Sequence, residues 1–313
     1  MQFADSYFED EVRDGFYVPS MIKRAWAAQL EILEDIDKLC KKHGIQYFAE
    51  WGTLLGAVRH CGFIPWDDDM DICMKREDYN KFCAIAKEEM PDYFLMNCHN
   101  MYNEEIYWDY LTRVVNGRQM NFEEKHLKKF HGFPYVVGID IFCMDFVAPN
   151  VKEEKMQAQM ICLIELAIAS VDAGADALDK LLCQVEKLCN VKIQKKGDVK
   201  QQLYFLMERV FALYNESEAE KITQMPLGNK NTKFQFPKSY YQEIVMLPFE
   251  VMEIPVPAAY DAILRKKYGN YWRLVRSGGA HEYPFYKRQE IILEEKLGIQ
   301  WPKYVVKEGV GGD

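Results

Sequence analysis

The chain predicts an α+β fold: a mixed sheet with helices against it, followed by a helical subdomain. Three observations carry this. Residues 20–43 place apolar side chains at helical spacing, strand-period and helix-period segments alternate to about residue 150, and the texture then turns Met-, Leu-, Ala- and Gln-rich. At 313 residues the chain is long enough to bury such a core.

Residues 1–19 read as an N-terminal arm. Its opening, "MQFADSYFEDEVRDGF", is acidic and lacks the basic and apolar stretches of a signal peptide. In "SMIKRAWAAQLEILEDIDKLCKKH" the residues Ile22, Trp26, Leu30, Leu33, Ile36 and Cys40 recur at three- and four-residue steps. Ser20 is the expected N-cap of this helix and Gly44 its terminator. "IQYFAEW" reads as a strand, and a short helix starts near Gly52-Thr53 and runs through "LLGAVRH". "DMDICM" has the period of a strand, and "REDYNKFCAIAKEEM" that of a helix ending before Pro91. Strands at "YFLMN", "YLTRVV" and "VVGIDIFCMD" complete a catalytic core over residues 20–150, its helices on one side of the sheet. Residues 151–225 form the expected helical subdomain, punctuated by Gly174 and Gly197. Residues 226–313 form a C-terminal segment with Pro-marked loops and one helix near 257–268, packing back on the core.

A net charge of −9 and a pI near 5.4 argue against a nucleic-acid binder, which needs a basic surface. Nine cysteines include no C-x-x-C pair, and an odd number cannot pair completely. They read as reduced, buried thiols of a cytoplasmic protein, Cys73 and Cys162 serving as small hydrophobes in apolar contexts. The most apolar window, "MICLIELAIASV", contains Glu165 and is too short to span a bilayer, so the chain reads as soluble, with no transmembrane segment.

The chemistry concentrates in "EWGTLLGAVRHCGFIPWDDDMDICM", where Asp67, Asp68, Asp69 and Asp71 crowd the threshold of an apolar strand. Repulsion and desolvation both oppose this unless something positive fills the gap. On a strand, residues two apart share a face, so Asp69 and Asp71 point together, and Asp67 with them if the chain is already extended. Carboxylates so arranged suit a hard divalent cation, Mg²⁺ or Mn²⁺. An EF-hand loop fits poorly, with Ile72 at the glycine position and Asp78 at the terminal glutamate. A solvated acidic turn and the Asp-x-Asp of nucleotide-sugar glycosyltransferases stay open. Upstream, Gly52-Thr53 at a strand-to-helix turn offers free N–H groups to phosphate, with Arg59 near the end of the same helix. Phosphate cradle and metal strand together describe phosphoryl transfer. Asp140, between Ile139 and Ile141 on an interior strand, also needs a partner.

"GTLLGAVRHCGFIPWDDDMDI" resembles the signature of the LicD family, which includes phosphocholine transferases and fukutin-related proteins. "GIDIFCMD" is similar to that family's later Asp-bearing strand, with Cys143-Met144 in place of its Pro-Leu. "FEVMEIPVPAAYDAILRKKYGNYW" is similar to its C-terminal block, and His281 to a histidine that follows. The resemblance covers roughly residues 25–285, most thinly in the helical middle. "LTRVVNGRQMN" departs by lacking a Thr that members carry there, which leaves Arg113 and Arg118 without an assigned role.

The resemblance implies a nucleotidyltransferase fold of the polymerase-β type, with catalytic Asp69, Asp71 and Asp140 and a metal held by these and Asp67. It implies transfer of a phospho-alcohol, phosphocholine first, from CDP-choline or a related CDP-alcohol to a glycan hydroxyl. Gly52, Thr53 and Arg59 would hold donor phosphates, Asp140 would help deprotonate the acceptor, and CMP would leave. The acceptor would be a cell-surface glycan such as teichoic acid or lipopolysaccharide, or its lipid-linked precursor met at the inner face of the membrane. A quaternary ammonium calls for an aromatic cage, but Trp51, Trp66 and Trp108 read as packing residues. A glycosyltransferase and a non-catalytic cation-binding protein remain the alternatives.

Overall fold

A computed structural model describes residues 1–102, 105–174, 177–276, 283–296 and 298. The chain opens with a hairpin of β1 (Glu11–Arg13) and β2 (Phe16–Val18), then enters helix α1 (Ser20–His43). The expected cap shifts by a residue: Ser20 is the first helical residue, and its N–H is accepted by the Asp10 carboxylate at 2.7 Å. Gly44 ends the helix at φ 62°, as its lack of a side chain allows. The strand expected at "IQYFAEW" shrinks to β3 (Phe48–Ala49) because Trp51, at φ 45°, already turns the chain into α2 (Trp51–His60).

β4 (Asp71–Lys75) leads into α3 (Arg76–Glu89) and β5 (Phe94–Met96). A small hairpin of β6 (Met101–Tyr102) and β7 (Glu105–Ile106) precedes β8 (Leu111–Val115). Then come α4 (Glu124–Lys129) and the long β9 (Gly138–Phe146). Helices α5 (Val151–Ala173), α6 (Leu178–Cys189) and α7 (Val199–Phe211) follow, α5 and α7 started by the side-chain caps Asn150 and Asp198, and α5 and α6 ended by Gly174 and Asn190. The chain returns to the sheet through β10 (Lys221–Gln224), α8 (Leu227–Lys230) and β11 (Gln235–Pro237). It continues through the hairpin β12 (Ile244–Phe249) and β13 (Met252–Pro257) to α9 (Tyr260–Tyr268) and α10 (Lys287–Ile291).

Seven strands form one mixed sheet, in the order β11-β10-β9-β4-β3, with β8 added on β9 and β5 on β8. β9 runs parallel to β4 along one edge and antiparallel to β8 and β10 along the other. Opposed residues share a face, so the register sorts the side chains. Ile72, Met74, Val114, Ile139 and Ile141 are buried on the face covered by α1 and α3. Asp71, Asp140 and Arg113 belong to the other face.

Within α1 the ring of Trp26 stacks on Phe63, with centroids 4.8 Å apart and planes 2° from parallel. Burying a side chain of this size contributes on the order of 3 kcal/mol. It also anchors the acidic loop, since Trp26 Nε1 donates to the Asp67 carbonyl at 3.0 Å and Gln29 Nε2 to that of Asp68 at 2.8 Å.

Helices α5, α6 and α7 share a separate apolar cluster that includes Ile161, Ile164, Leu182, Val185, Leu203 and Met207. Here the apolar window of the sequence undercounts. Its polar flank is helical too, started by Asn150, which caps Glu153 N–H, so α5 runs 23 residues. Among the described residues it is the one helix long and apolar enough to cross a membrane, by length and composition. All nine cysteines are free thiols, but Cys162, Cys61 and Cys183 are exposed. Cys162 falls outside the buried stripe of α5 and is no core residue.

Candidate active site

The site forms where β4 and β9 begin. In the parallel register Asp71 stands opposite Asp140, and Asp140 stands opposite Arg113 of β8. Asp140 N–H donates to the Met70 carbonyl at 3.0 Å, which extends the ladder one residue before β4. Regular strand starts only at Asp71, so Asp67 and Asp69 sit in the preceding loop rather than on the strand. The alternation nevertheless holds: Asp68 and Met70 are buried, and Asp67 and Asp69 are partly exposed.

Asp68 has a different duty from its neighbours. Its carboxylate is buried and accepts the Phe285 N–H at 2.7 Å, tying the C-terminal segment to the loop. Carboxylate oxygens of Asp67, Asp68 and Asp69 lie within 4.8 Å of one another. The Asp71 carboxyl is held well above the usual carboxylate range, first by burial and then by Asp69, Asp140 and Asp67, with Arg113 pulling the other way.

Arg113 grips Asp140 with both arms of its guanidinium, Nη2 donating to Oδ2 at 2.6 Å and Nε to Oδ1. Such a fork fixes the carboxylate's orientation. The Arg113 guanidinium also lies over the Tyr107 ring, 5.7 Å from its centroid, and burial pushes the Tyr107 phenol up to about 12. On the other flank stands Tyr268, 41% exposed, its phenol raised by local desolvation and by Asp71 and Asp67.

Helix α2 delivers the expected phosphate-binding residues in three different ways. A Cβ on Gly52 would meet the Asp67 carboxylate and push it aside, so glycine lets that side chain lie against the helix N-terminus. Thr53 Oγ1 is buried and accepts the Asp71 N–H at 2.8 Å. That bond locks helix to strand, and a hydroxyl that accepts can also donate. Arg59 lies two turns further on, about 10 Å along the helix, where its Nη1 donates to the Tyr271 carbonyl at 2.7 Å. The structure thus brings Asp67, Asp69, Asp71, Asp140, Gly52 and Thr53 together and seats Arg59 at the far end of α2. Below them Glu50 and Lys267 form a buried ion pair, with the Lys267 ammonium 3.9 Å from the Trp51 ring centroid. His281 lies outside the described residues.

Arg113, Gln29 and Trp26 were not expected at the site. For Gln29 a signal existed, because a lone amide interrupts the apolar stripe between Trp26 and Leu30. For Arg113 the signal was its alternation within "LTRVV", which is meaningful only once the pairing with β9 is known.

Opposed carboxylates on adjacent parallel strands, beside a helix N-terminus, are chemistry for handling phosphate together with a cation. The donor set fits one: all oxygen, with more acid than Arg113 neutralises. Residues 44–143 match the LicD/FKTN/FKRP nucleotidyltransferase domain. That match falls on the stretch whose motif resembles the LicD family. It is 27% identical over 259 residues to the lipopolysaccharide cholinephosphotransferase LicD of Haemophilus influenzae, covering 78% of this chain and 89% of that protein. It is 31% identical over 87 residues to the mouse ribitol-5-phosphate transferase FKTN, covering 28% of this chain and 17% of the other. A stretch of 35 residues is 51% identical to the human ribitol 5-phosphate transferase FKRP, covering 11% and 7%.

Proposed function

We propose that this protein transfers a phospho-alcohol, phosphocholine first, from a CDP-linked donor to a hydroxyl of a cell-surface glycan or its lipid-linked precursor. The observation that carries the reading is the Asp71–Asp140 pair, opposed in register beneath the Gly52 end of α2. The relative that spans most of the chain is named for moving phosphocholine onto lipopolysaccharide, and shorter matches are named for ribitol phosphate.

Asp67, Asp69 and Asp71, with Asp140, would hold Mg²⁺ or Mn²⁺, which when bound neutralises diphosphate charge and polarises the phosphorus. The N-terminal amides of α2 face the donor phosphate, and Gly52 keeps that approach open. Thr53 keeps helix and strand in register through its bond to Asp71 N–H. The acceptor hydroxyl oxygen attacks the phosphorus bearing choline, the bond from that phosphorus to the bridging oxygen breaks, and CMP departs with it. Asp140, oriented by Arg113, takes the hydroxyl proton. Positioning and charge neutralisation supply most of the rate in such transfers.

The test is CMP release from CDP-choline, CDP-ribitol and a panel of nucleotide sugars, with and without Mg²⁺. Metal-dependent release from a CDP-alcohol is expected. Turnover of a nucleotide sugar alone would make this a glycosyltransferase, and turnover of nothing would leave a cation-binding protein.

A further inference from the structure

The turn between β5 and β6 leans into the helical layer. Cys98, at its centre, is 1% exposed and packs in the apolar cluster of α5, α6 and α7. The turn is pinned on both sides. Asn97 Nδ2 donates to Thr112 Oγ1 at 3.0 Å, and the His99 N–H donates to Asn97 Oδ1 at 3.0 Å. Gln201 Nε2, on α7, donates to the Cys98 carbonyl at 3.3 Å. So held, the turn directs two successive side chains at Glu208 of α7. His99 Nε2 bonds to Oε2 of that carboxylate. A ligand atom from each of Cys98, His99 and Glu208 lies within 4.8 Å of the other two.

Three features set this group apart from an ordinary ion pair. The His99 ring stacks on Phe205, with centroids 4.6 Å apart and planes 9° from parallel, which fixes the plane in which its nitrogens point. Burial and then Glu208 push the Cys98 thiol above its usual range, so sulfur and carboxylate share the space only through a proton or a cation. The charge also closes. The field of Arg76 reaches both His99 and Glu208, but Arg76 is matched by Asp145. A Cys98 thiolate and the Glu208 carboxylate would then balance the two positive charges of a divalent ion, with neutral His99 as third ligand.

Thiolate, imidazole and carboxylate are the donors zinc takes, and a tetrahedral ion would set them about 3.5 Å apart. The atoms reach that spacing by drawing in about 1 Å. The His99 side chain is 50% exposed, which leaves the fourth position to water. We infer that Cys98, His99 and Glu208 bind one Zn²⁺ ion, which clips the end of β5 to helix α7. The site lies on the opposite face of the sheet from Asp71 and Asp140. Thr112, which anchors Asn97, alternates with Arg113 and meets Tyr79 and Cys83 of α3. The two places sort cations by hardness, all-oxygen ligands for Mg²⁺ and a sulfur-bearing set for Zn²⁺. The zinc site therefore stands whether or not the transfer reading does. Its ligands are a Cys-His dipeptide and a glutamate more than a hundred residues away, a pattern that cysteine spacing passes over.

The test titrates Zn²⁺ into the reduced, chelator-treated protein against a chromophoric chelator, with Co²⁺ as the spectroscopic probe. One tightly held ion per chain is expected, with a near-ultraviolet thiolate-to-cobalt band and a melting temperature that Zn²⁺ raises. Cys98→Ser should abolish the cobalt band. His99→Gln and Glu208→Gln should each weaken Zn²⁺ binding at least tenfold. The half-exposed His99 makes its variant the safe one, expected to fold whatever the buried Cys98 tolerates. Excess Mg²⁺ and Asp71→Asn should leave the titration unchanged. Failure of wild type to compete with the chelator, or equal Zn²⁺ affinity in His99→Gln, overturns the inference. So does a cobalt band that survives Cys98→Ser, which would assign the ion to the exposed Cys61, Cys162 or Cys183. Loss of the ion in Asp71→Asn overturns it as well, by placing the metal among the carboxylates.

Discussion

Strand β9 carries two aspartates five residues apart, on opposite faces, and each is gripped by an arginine. Asp145 is buried, and Arg76 donates to its two oxygens at 2.7 Å each. Asp140 receives the same fork from Arg113. The difference is in the company. Asp145 closes on Arg76, and the nearby Glu208 is bound to His99, whereas Arg113 is shared between Asp140 and Asp71, with Asp67 and Asp69 close to Asp71. The Arg76–Asp145 pair is the more deeply buried, with Arg113 39% exposed, and only the Arg113–Asp140 pair has acid left over. That surplus is what marks a site and gives a cation reason to bind.

The largest effect should come from breaking the balanced pair. Asp145→Ala leaves Arg76 buried without its counter-charge, which costs about 3–5 kcal/mol. Urea unfolding should register this as a lower midpoint at unchanged slope, with turnover preserved wherever the variant is folded. A loss under about 1 kcal/mol would erase the contrast between the two faces.

How much of this contrast is legible in the sequence depends on distance along the chain. The long helices are read from local periodicity, and α1 spans the residues its apolar stripe marks out. Asp69 and Asp71 announce themselves because like charges are adjacent. What is not legible is pairing. Asp71 meets Asp140 and Asp140 meets Arg113 only through the registers of β4, β9 and β8, which no local pattern sets. The same limit hid the partner of Asp68, which parity leaves out of the ligand set and which accepts the distant Phe285 N–H. It also cut short the strand at "IQYFAEW", where a positive φ at Trp51 overrides aromatic β-propensity.

Next in size is Asp140→Asn, which keeps the shape and removes charge from the surplus side. A transition-state interaction lost here should lower kcat about a hundredfold, roughly 2.7 kcal/mol, and leave donor binding within a few-fold. Stability should hold or rise, in contrast to Asp145→Ala, because one of several repelling charges has gone. Near wild-type kcat would remove Asp140 from the chemistry.

The surplus itself can be titrated. A carboxyl whose folded pKa is raised adds stability below the unfolded value, near 4, and loses it as pH rises through the folded value. With Asp71 so placed, metal-free protein should melt at falling temperature as pH rises above about 4. Asp71→Asn should flatten that slope. Mg²⁺ at ten times its Kd should restore about 1.4 kcal/mol in wild type and little in the variant. A melting temperature indifferent to both pH and millimolar Mg²⁺ would mean the cluster carries no excess charge to relieve.

The smallest effect tests how far the site extends along α2. Arg59 spends one arm of its guanidinium on the Tyr271 carbonyl, which fastens the segment after α9 to the end of the helix. A planar fork can hold that carbonyl and still present other N–H groups toward a phosphate, whereas a lysine ammonium is a single point charge. Arg59→Lys should therefore keep the fold and weaken CDP-donor affinity about fivefold, close to 1 kcal/mol. The shift should shrink as salt is raised, since Arg59 is only partly buried and would meet a donor across solvent. Calorimetric titration of CDP-choline into both proteins at two ionic strengths reads this directly. Equal affinities would confine Arg59 to the Tyr271 carbonyl and draw the boundary of the donor site at the first turn of α2.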